Sequence, residues 1–344
     1  MTFYAFVSLY YTLDVDMTMD LHRLAEILLP SWGLGPILSS TTPSTGFINR
    51  TLLLRTPGGR YALRAYRHRD RLPIEREHAL IAYAHARGVP AVPPLPLPSG
   101  ETILEHEERY YALFPHAPGQ QVARDALGPS EVAAMGQALA TIHRALHDYS
   151  PERVASRDFA FDRATTLARI DGLVAVAEAQ PRPTPVDGHA LVRLKGRRDW
   201  LLSAPDVDLS GWETLERQVI HGDYQEANVF FAAGRVSAVI DWDQSYTAPP
   251  AWEIARAFHL ALDFSPALCR AFLDAYRARL PLQSDDLDAA ATYYAVFRAH
   301  DLWVYDAVYL ERDDRVRTFI YPGGFVPLID RWDTLKAALP LTTD

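Results

Sequence analysis

VIHGDYQEANVFF, Val219 to Phe231, is followed almost at once by VSAVIDWD, which ends at Asp243, and together they crowd polar side chains between apolar runs. The pattern reads as strand, polar loop, strand, and then a further strand that ends in carboxylates. With Ala232–Arg235 as the turn, residues 229–240 form a hairpin that brings Asp223, Asn228 and Asp241 to one end of a small ribbon. Two carboxylates and a carboxamide oxygen are hard oxygen ligands of the kind Mg²⁺ prefers. That ion keeps several waters and takes only one or two carboxylates plus substrate phosphates. The set therefore suits a nucleotide-bound metal better than a free-standing metal site.

The 344-residue chain is long enough for one large or two ordinary domains, and its 49% hydrophobic and 22% charged content is that of a globular protein. A formal net charge of -9 argues against a nucleic-acid partner, which would want a basic face. Cys269 stands alone, so neither an intrachain disulfide nor a cysteine-based metal cluster can form, which fits a reducing, cytoplasmic setting. Lys195 and Lys336 are the only lysines. The opening MTFYAFVSLYYTLDVDMTMD lacks a basic start and a small-residue cleavage site, and its apolar run stops at Asp14. No run is long enough to span a bilayer, so no membrane partner is expected. Residues 1–19 read as a tail without an assigned function.

Outward from the hairpin, the N-terminal part alternates helix and strand. A helix is expected over Asp20–Leu29. A hairpin follows, Arg50–Thr56 with Arg60–Arg67 across Pro57–Gly59. Then come a helix over PIEREHALIAYAHARG and a Pro-rich loop, Val89–Gly100. A second hairpin ends in the apolar strand Tyr110–Phe114, broken by Pro115, Pro118 and Gly119. From there the chain turns helical. Val132, Met135, Leu139, Ile142 and Leu146 step at helical spacing, with Ser130 as the expected N-cap. Two more helices flank the break at Pro181–Pro185, and others are expected near 251–262, 266–280, 285–309 and 327–339. The expected fold class is α+β, with a small β-rich lobe over 20–115 and a larger, mainly helical lobe over 116–344. A cleft between them is a favoured place for a small ligand.

H-G-D-x-x-x-x-N followed by a strand and I-D-x-D resembles the catalytic loop and metal-binding motif of the aminoglycoside phosphotransferase and choline kinase superfamily. Homoserine kinases of the phosphotransferase type belong to the same group, and protein kinases are related. The resemblance implies a protein-kinase-like fold, ATP and Mg²⁺ as cofactors, and transfer of a γ-phosphoryl group to a small-molecule hydroxyl. Carried over, Asp223 is the catalytic base, Asn228 and Asp241 hold the metal, and His221 braces the loop. Asp243 is either a second metal contact or a hydrogen-bonded anchor. STGFINRTLLLR, Ser44–Arg55, takes the place of the phosphate-covering loop, with Gly46 as its single glycine. In YALRAY, Arg64 stands where the family carries lysine, and an arginine keeps the charge without being a neutral exchange. Its helix partner is Glu77, with Glu75 as runner-up. LFPHAPG resembles the hinge, where backbone groups from Phe114 to His116 would meet adenine.

Other readings are weaker. The chain has no G-x-x-x-x-G-K-[ST], no H-E-x-x-H and no G-x-S-x-G. Only WDQSYTAPPAW separates Asp241 from Glu253, too little for a peptide-docking segment, so the expected acceptor is a small molecule of homoserine, amino-alcohol or aminoglycoside type. Rings at Tyr293, Tyr294, Phe297, Trp303, Tyr305 and Tyr309, with Asp301 and Asp306 among them, read first as a packing stripe and second as a pocket wall for a substrate ammonium. His143 and His300 read as helix or core histidines. The competing function is a catalytically idle nucleotide-binding scaffold or sensor. The missing lysine and the single glycine favour it, and the intact Asp223, Asn228 and Asp241 oppose it.

Overall fold

Alternation in RTLLLRT and GRYALRA sends every second side chain to the same face, so each strand has one leucine-rich side to bury. The computed structural model describes residues 21–43 and 50–339; the tail and the segment around Gly46 lie outside them. Helix α1 (Leu21–Leu28) leads into strands β1 (Ser39–Thr41), β2 (Arg50–Thr56) and β3 (Gly59–Ala65), then α2 (Leu72–Ala86), β4 (Leu104–His106) and β5 (Arg109–Pro115). The strands form one antiparallel sheet in the order β1-β2-β3-β5-β4, with Thr56 opposite Gly59 at the tight turn. Leu52, Leu54, Leu63 and Leu113 pack against Leu21, Leu24 and Leu28 of α1. The opposite face receives α2 through Ile74. Arg64 follows Leu63 by one residue and so faces α2.

The second lobe comprises α3 (Pro129–Leu146), α4 (Arg163–Glu178), α5 (Pro185–Ser203), α6 (Ser210–Glu213), strands β6 (Gln218–Ile220), β7 (Val229–Ala232), β8 (Arg235–Val239) and β9 (Tyr246–Ala248), then α7 (Pro250–Leu260), α8 (Pro266–Arg277), α9 (Ser284–His300), α10 (Trp303–Tyr309) and α11 (Leu328–Ala338). Trp212, Trp242, Trp252 and Trp332 are all buried in its main core. A satellite core joins α4 and α5 to α10 through Ile170, Leu194, Tyr305 and Val308. Asp187 in the first turn of α5 both caps that helix through Thr184 and accepts from Tyr309 Oη at 2.8 Å, so one carboxylate sets the angle between two helices. No described helix is long and apolar enough to cross a membrane.

Backbone hydrogen bonds fasten the β7–β8 hairpin to the smaller lobe and to the segment that leaves it. Val239 N donates to Pro90 O at 2.8 Å, while Gln120 and Phe231 exchange bonds of 3.0 and 2.8 Å. Gly119 makes the second stitch possible: its φ is +96°, and a Cβ there would lie 2.4 Å from Phe231 O.

Two expectations need correction. Helix α3 is capped by Gly128, not Ser130, because Pro129 with its preset φ takes the first turn; the Ser130 hydroxyl instead donates to Glu131 at 2.8 Å. The single helix expected over 285–309 is two, α9 and α10. Asp301 breaks it by accepting from Trp303 N at 3.2 Å and by pairing with Arg298. The rings of this region pack: Tyr293 stacks on Trp212 at 4.2 Å, and Trp252 meets Phe297 edge-on at 5.5 Å. Asp306 is held by Arg169 at 2.9 Å.

Helix α3 crosses α8 so closely that a Cβ on Gly136 would lie 2.3 Å from Phe272 O. Gly136→Ala should therefore lower stability by about 1–3 kcal/mol in urea unfolding. Gly172→Ala, on the exposed face of α4 with nothing within 4 Å of its added methyl, should raise it by about 0.5–1 kcal/mol.

Candidate active site

The strand–loop–hairpin arrangement expected from residue 219 onward is present, and the loop is held from behind. Glu253 of α7 is fully buried; it accepts from His221 N at 3.2 Å and Gly222 N at 2.5 Å, and contacts His143 Nε2 at 2.9 Å. His143 in turn contacts Tyr276 Oη at 2.9 Å. Burial alone would raise the Glu253 carboxyl, but the hydrogen bond and charge of His143 outweigh it and hold the group below its ordinary range. His221 is buried and ties the loop to the hairpin, with Nε2 at 3.0 Å from Ile240 O and Nδ1 accepting from Asp223 N at 3.2 Å. Gly222 has φ +85°, and a Cβ there would lie 2.1 Å from Gln244 O, so no other residue fits.

This scaffold presents Asp223 outward. Its Oδ2 accepts from Gln225 Nε2 at 2.9 Å and Asn228 Nδ2 at 3.0 Å, and its Oδ1 from Arg256 at 3.3 Å. Asn228 Nδ2 also donates to Asp223 O at 2.9 Å, which leaves the amide oxygen of Asn228 as its remaining acceptor. Asp241 follows Ile240, whose N–H donates to Asn228 O at 3.0 Å, so the two residues lie at one end of the hairpin. The backbone of Asp241 is left-handed at φ 66°, a conformation that costs energy and recurs at functional sites.

Across the cleft, Arg64 Nη1 donates to Glu77 at 2.8 Å, while Nη2 donates to Asp241 at 2.5 Å and Asp243 at 3.2 Å. Burial disfavours its charge, but Glu77 and Asp241 more than compensate, so Arg64 stays cationic. One guanidinium cannot neutralise three carboxylates. Glu77 accordingly sits above the usual range, mainly through burial, and Asp243 is pushed up to about 8 by burial first and the Asp241 charge second. Glu75, the runner-up, faces solvent and pairs with Arg71 at 2.7 Å.

At the hinge, Phe114 pairs with Ala62 on the sheet edge facing β3. The N–H of His116 is committed to Arg60 O at 3.0 Å, and its ring lies between Arg60 and Ala117 O, both at 2.9 Å. Its backbone donor is thus already used by the sheet.

The sequence profile of the phosphotransferase enzyme family matches residues 40–293, which span both lobes and this cleft. The chain belongs to that family. Among curated members of known name, it is 28% identical over 267 residues to a homoserine kinase of Xanthobacter autotrophicus, covering 75% of this chain and 76% of the relative. A homoserine kinase of a Bradyrhizobium species is 28% identical over 282 residues, covering 80% of each chain. Among solved structures, a spectinomycin phosphotransferase in complex with ADP and spectinomycin superposes with a TM-score of 0.65 at 14% identity, covering 93% of this chain and 95% of that one. An amicoumacin kinase in complex with AMP-PNP and Ca²⁺ gives 0.60 at 14% identity, covering 98% of each. These neighbours share the two-lobed kinase-like fold.

Arg64, Glu77, Asp223, Asn228 and Asp241, all expected from the sequence, meet at the cleft, but the groups behind and beside them were not foreseen. Arg256, one turn along α7 from Glu253, is buried against Asp223 yet lies far away in the chain. Glu253 served only as a landmark for segment length, although its place just after APPAW was the available signal.

Replacing Glu253 by Ala strips partners from two backbone N–H groups and His143, and should cost about 3–5 kcal/mol in denaturant unfolding. The carboxyl's pKa is depressed below its reference of 4.5 in the folded state, so its stabilisation is present above that value and is lost as pH falls through the folded pKa. Thermal unfolding between pH 3 and 5 should therefore steepen less in Glu253→Gln than in the native chain.

Proposed function

We propose that this phosphotransferase is an ATP- and Mg²⁺-dependent kinase whose acceptor is the hydroxyl of a small amino acid of the homoserine type. The observation that carries the reading is the meeting of Arg64 and Glu77 on one side of the cleft with Asp223, Asn228 and Asp241 on the other. The names of the homoserine kinase relatives supply the acceptor class.

The donor set fits a divalent ion. Among the described residues, no three His, Cys, Asp or Glu side chains form a metal cage; phosphate and water oxygens would complete the shell. Asp241, with 38% of its side chain exposed, and the amide oxygen of Asn228 would hold Mg²⁺, and the surplus of carboxylates around Arg64 leaves negative charge for it to balance. When bound, the ion would neutralise charge on the phosphates and orient them.

The chain's own residues do the rest. Of the five N–H donors of Arg64, its three carboxylate contacts leave the Nε–H and one Nη1–H for a phosphate oxygen. Gln225, Asn228 and Arg256 fix the Asp223 carboxylate so that it orients the acceptor hydroxyl and takes its proton. The new bond joins that oxygen to the γ-phosphorus as the bond to the ADP leaving oxygen breaks. Beside this base lie both signs of charge. Arg256 carries a buried Nε–H without a partner, and Glu226 carries a buried carboxylate oxygen without one. A zwitterion suits that pair, its carboxylate toward Arg256 and its ammonium toward Glu226, whereas a polycationic aminoglycoside would want a predominantly acidic wall. An idle scaffold is disfavoured because Arg64 makes the contacts that the resemblance assigns to the lysine.

The test is ATP turnover with homoserine, choline and an aminoglycoside as acceptors. Homoserine should be phosphorylated in preference, and Asp223→Ala should lower kcat by roughly 10²–10⁴ while nucleotide affinity stays within a few-fold. Nucleotide binding without phosphorylation of any acceptor would establish the scaffold instead. Arg256→Gln should raise KM for the amino acid about 10- to 100-fold and leave KM for ATP nearly unchanged.

A further inference from the structure

Behind the Arg64 cluster, α2, the 151–157 loop and residues 242–247 line an open pocket of about 680 Å³. Asp223, Asn228 and Asp241 do not line it, but Glu77 and Asp243 of the Arg64 cluster do, so it adjoins the candidate active site from behind. Its walls include the apolar side chains of Ile74, Leu80 and Val154. Around them stand four arginines, Arg76, Arg153, Arg157 and Arg217, the first two and the last exposed at the rim and Arg157 half-buried.

Surface arginines are of two kinds, ion-paired ones and others, such as Arg144 and Arg182, that have no carboxylate within 4 Å among the described residues. Arg71, Arg163, Arg198 and Arg331 each pair with a carboxylate within 4 Å. None of the four cavity arginines does so among the described residues, in a chain whose 43 acidic side chains outnumber its 34 basic ones. Two are instead positioned by rings: Arg157 lies over Tyr246 at 4.7 Å and Arg217 over Trp212 at 4.6 Å. A ring holds a guanidinium in place without neutralising it. The result is a rim of four arginines above an apolar floor, facing three lining carboxylates, Glu77, Glu152 and Asp243, of which the first and last are engaged by Arg64.

We propose that this cavity binds a small organic anion, a carboxylate or phosphonate-like group on a compact carbon skeleton, as an effector of the enzyme. Its coupling to the reaction runs through Glu77 and Asp243, which line the cavity and also hold Arg64. Extra negative charge or a displaced α2 at this point alters how Arg64 is held, and hence the apparent affinity for ATP. This inference goes beyond the acceptor assignment and does not depend on it.

The experiment is calorimetric titration of the full native chain with glutarate and with phenylphosphonate, using inorganic phosphate as the control, alongside the KM for ATP at each probe concentration. We expect saturable 1:1 binding of the organic probes, at least tenfold weaker binding of phosphate, and a changed KM for ATP. Arg157→Gln and, separately, Arg76→Gln should each weaken probe binding at least fivefold and abolish the change in KM, while KM without probe stays within twofold of native. If Arg157→Gln perturbs the fold, Arg76→Gln and Arg153→Gln, both at exposed positions, decide the matter. The proposal is overturned if no probe binds saturably, if binding is unaffected by these substitutions, or if MgATP or the acceptor displaces the probe competitively. Binding that leaves KM for ATP unchanged overturns the coupling.

Discussion

One guanidinium shared among three carboxylates organises this molecule. Arg64 comes from β3, Glu77 from α2, and Asp241 and Asp243 from the segment after β8, so the cluster is where sheet, helix and the β7–β8 hairpin meet. Glu77 and Asp243 are costly to bury alone, and the cation they share with the more exposed Asp241 offsets that cost. The planar fork of arginine suits this duty: one Nη reaches Glu77 while the other reaches both aspartates. A lysine would offer a single nitrogen in place of two separated ones. The departure from the family's lysine thus comes with a partner set that exploits it.

A second buried anchor works from the opposite side. Glu253, His143 and Tyr276 bridge α7, α3 and α8 and clasp the backbone at His221 and Gly222. Because the loop is gripped through its main chain, its side chains at Asp223 and Asn228 are left for the cleft. Rigidity behind and availability in front are two results of one arrangement.

How much of this was legible follows from distance along the chain. Asp223, Asn228 and Asp241 lie within one strand–loop–hairpin unit, so spacing alone placed them together. Arg64 and Glu77 were legible because a strand and the helix after it form a local pair whose facing sides follow from alternation. The contacts to Glu253 and Arg256 join residues 110 and 33 positions from their partners His143 and Asp223, and no periodicity encodes such a pairing. The misplaced cap at Ser130 shows proline outranking a favoured N-cap residue. The unforeseen break between α9 and α10 was hidden because an aspartate made it, with neither proline nor glycine to mark the spot. The loop around Gly46 lies outside the described residues, so its part in phosphate binding rests on the resemblance.

The backbone stitches at Val239 and Phe231 have a kinematic consequence. Both strands of the β7–β8 hairpin are fastened to chain segments that belong to, or leave from, the smaller lobe. That ribbon, with Asn228 and Asp241 at one end, is therefore anchored to the smaller lobe as well as packed in the core of the larger one. The same ribbon is fastened to the His-Gly-Asp loop through His221–Ile240 and Asp223–Asn228, so one shared strut limits how far the two lobes can part.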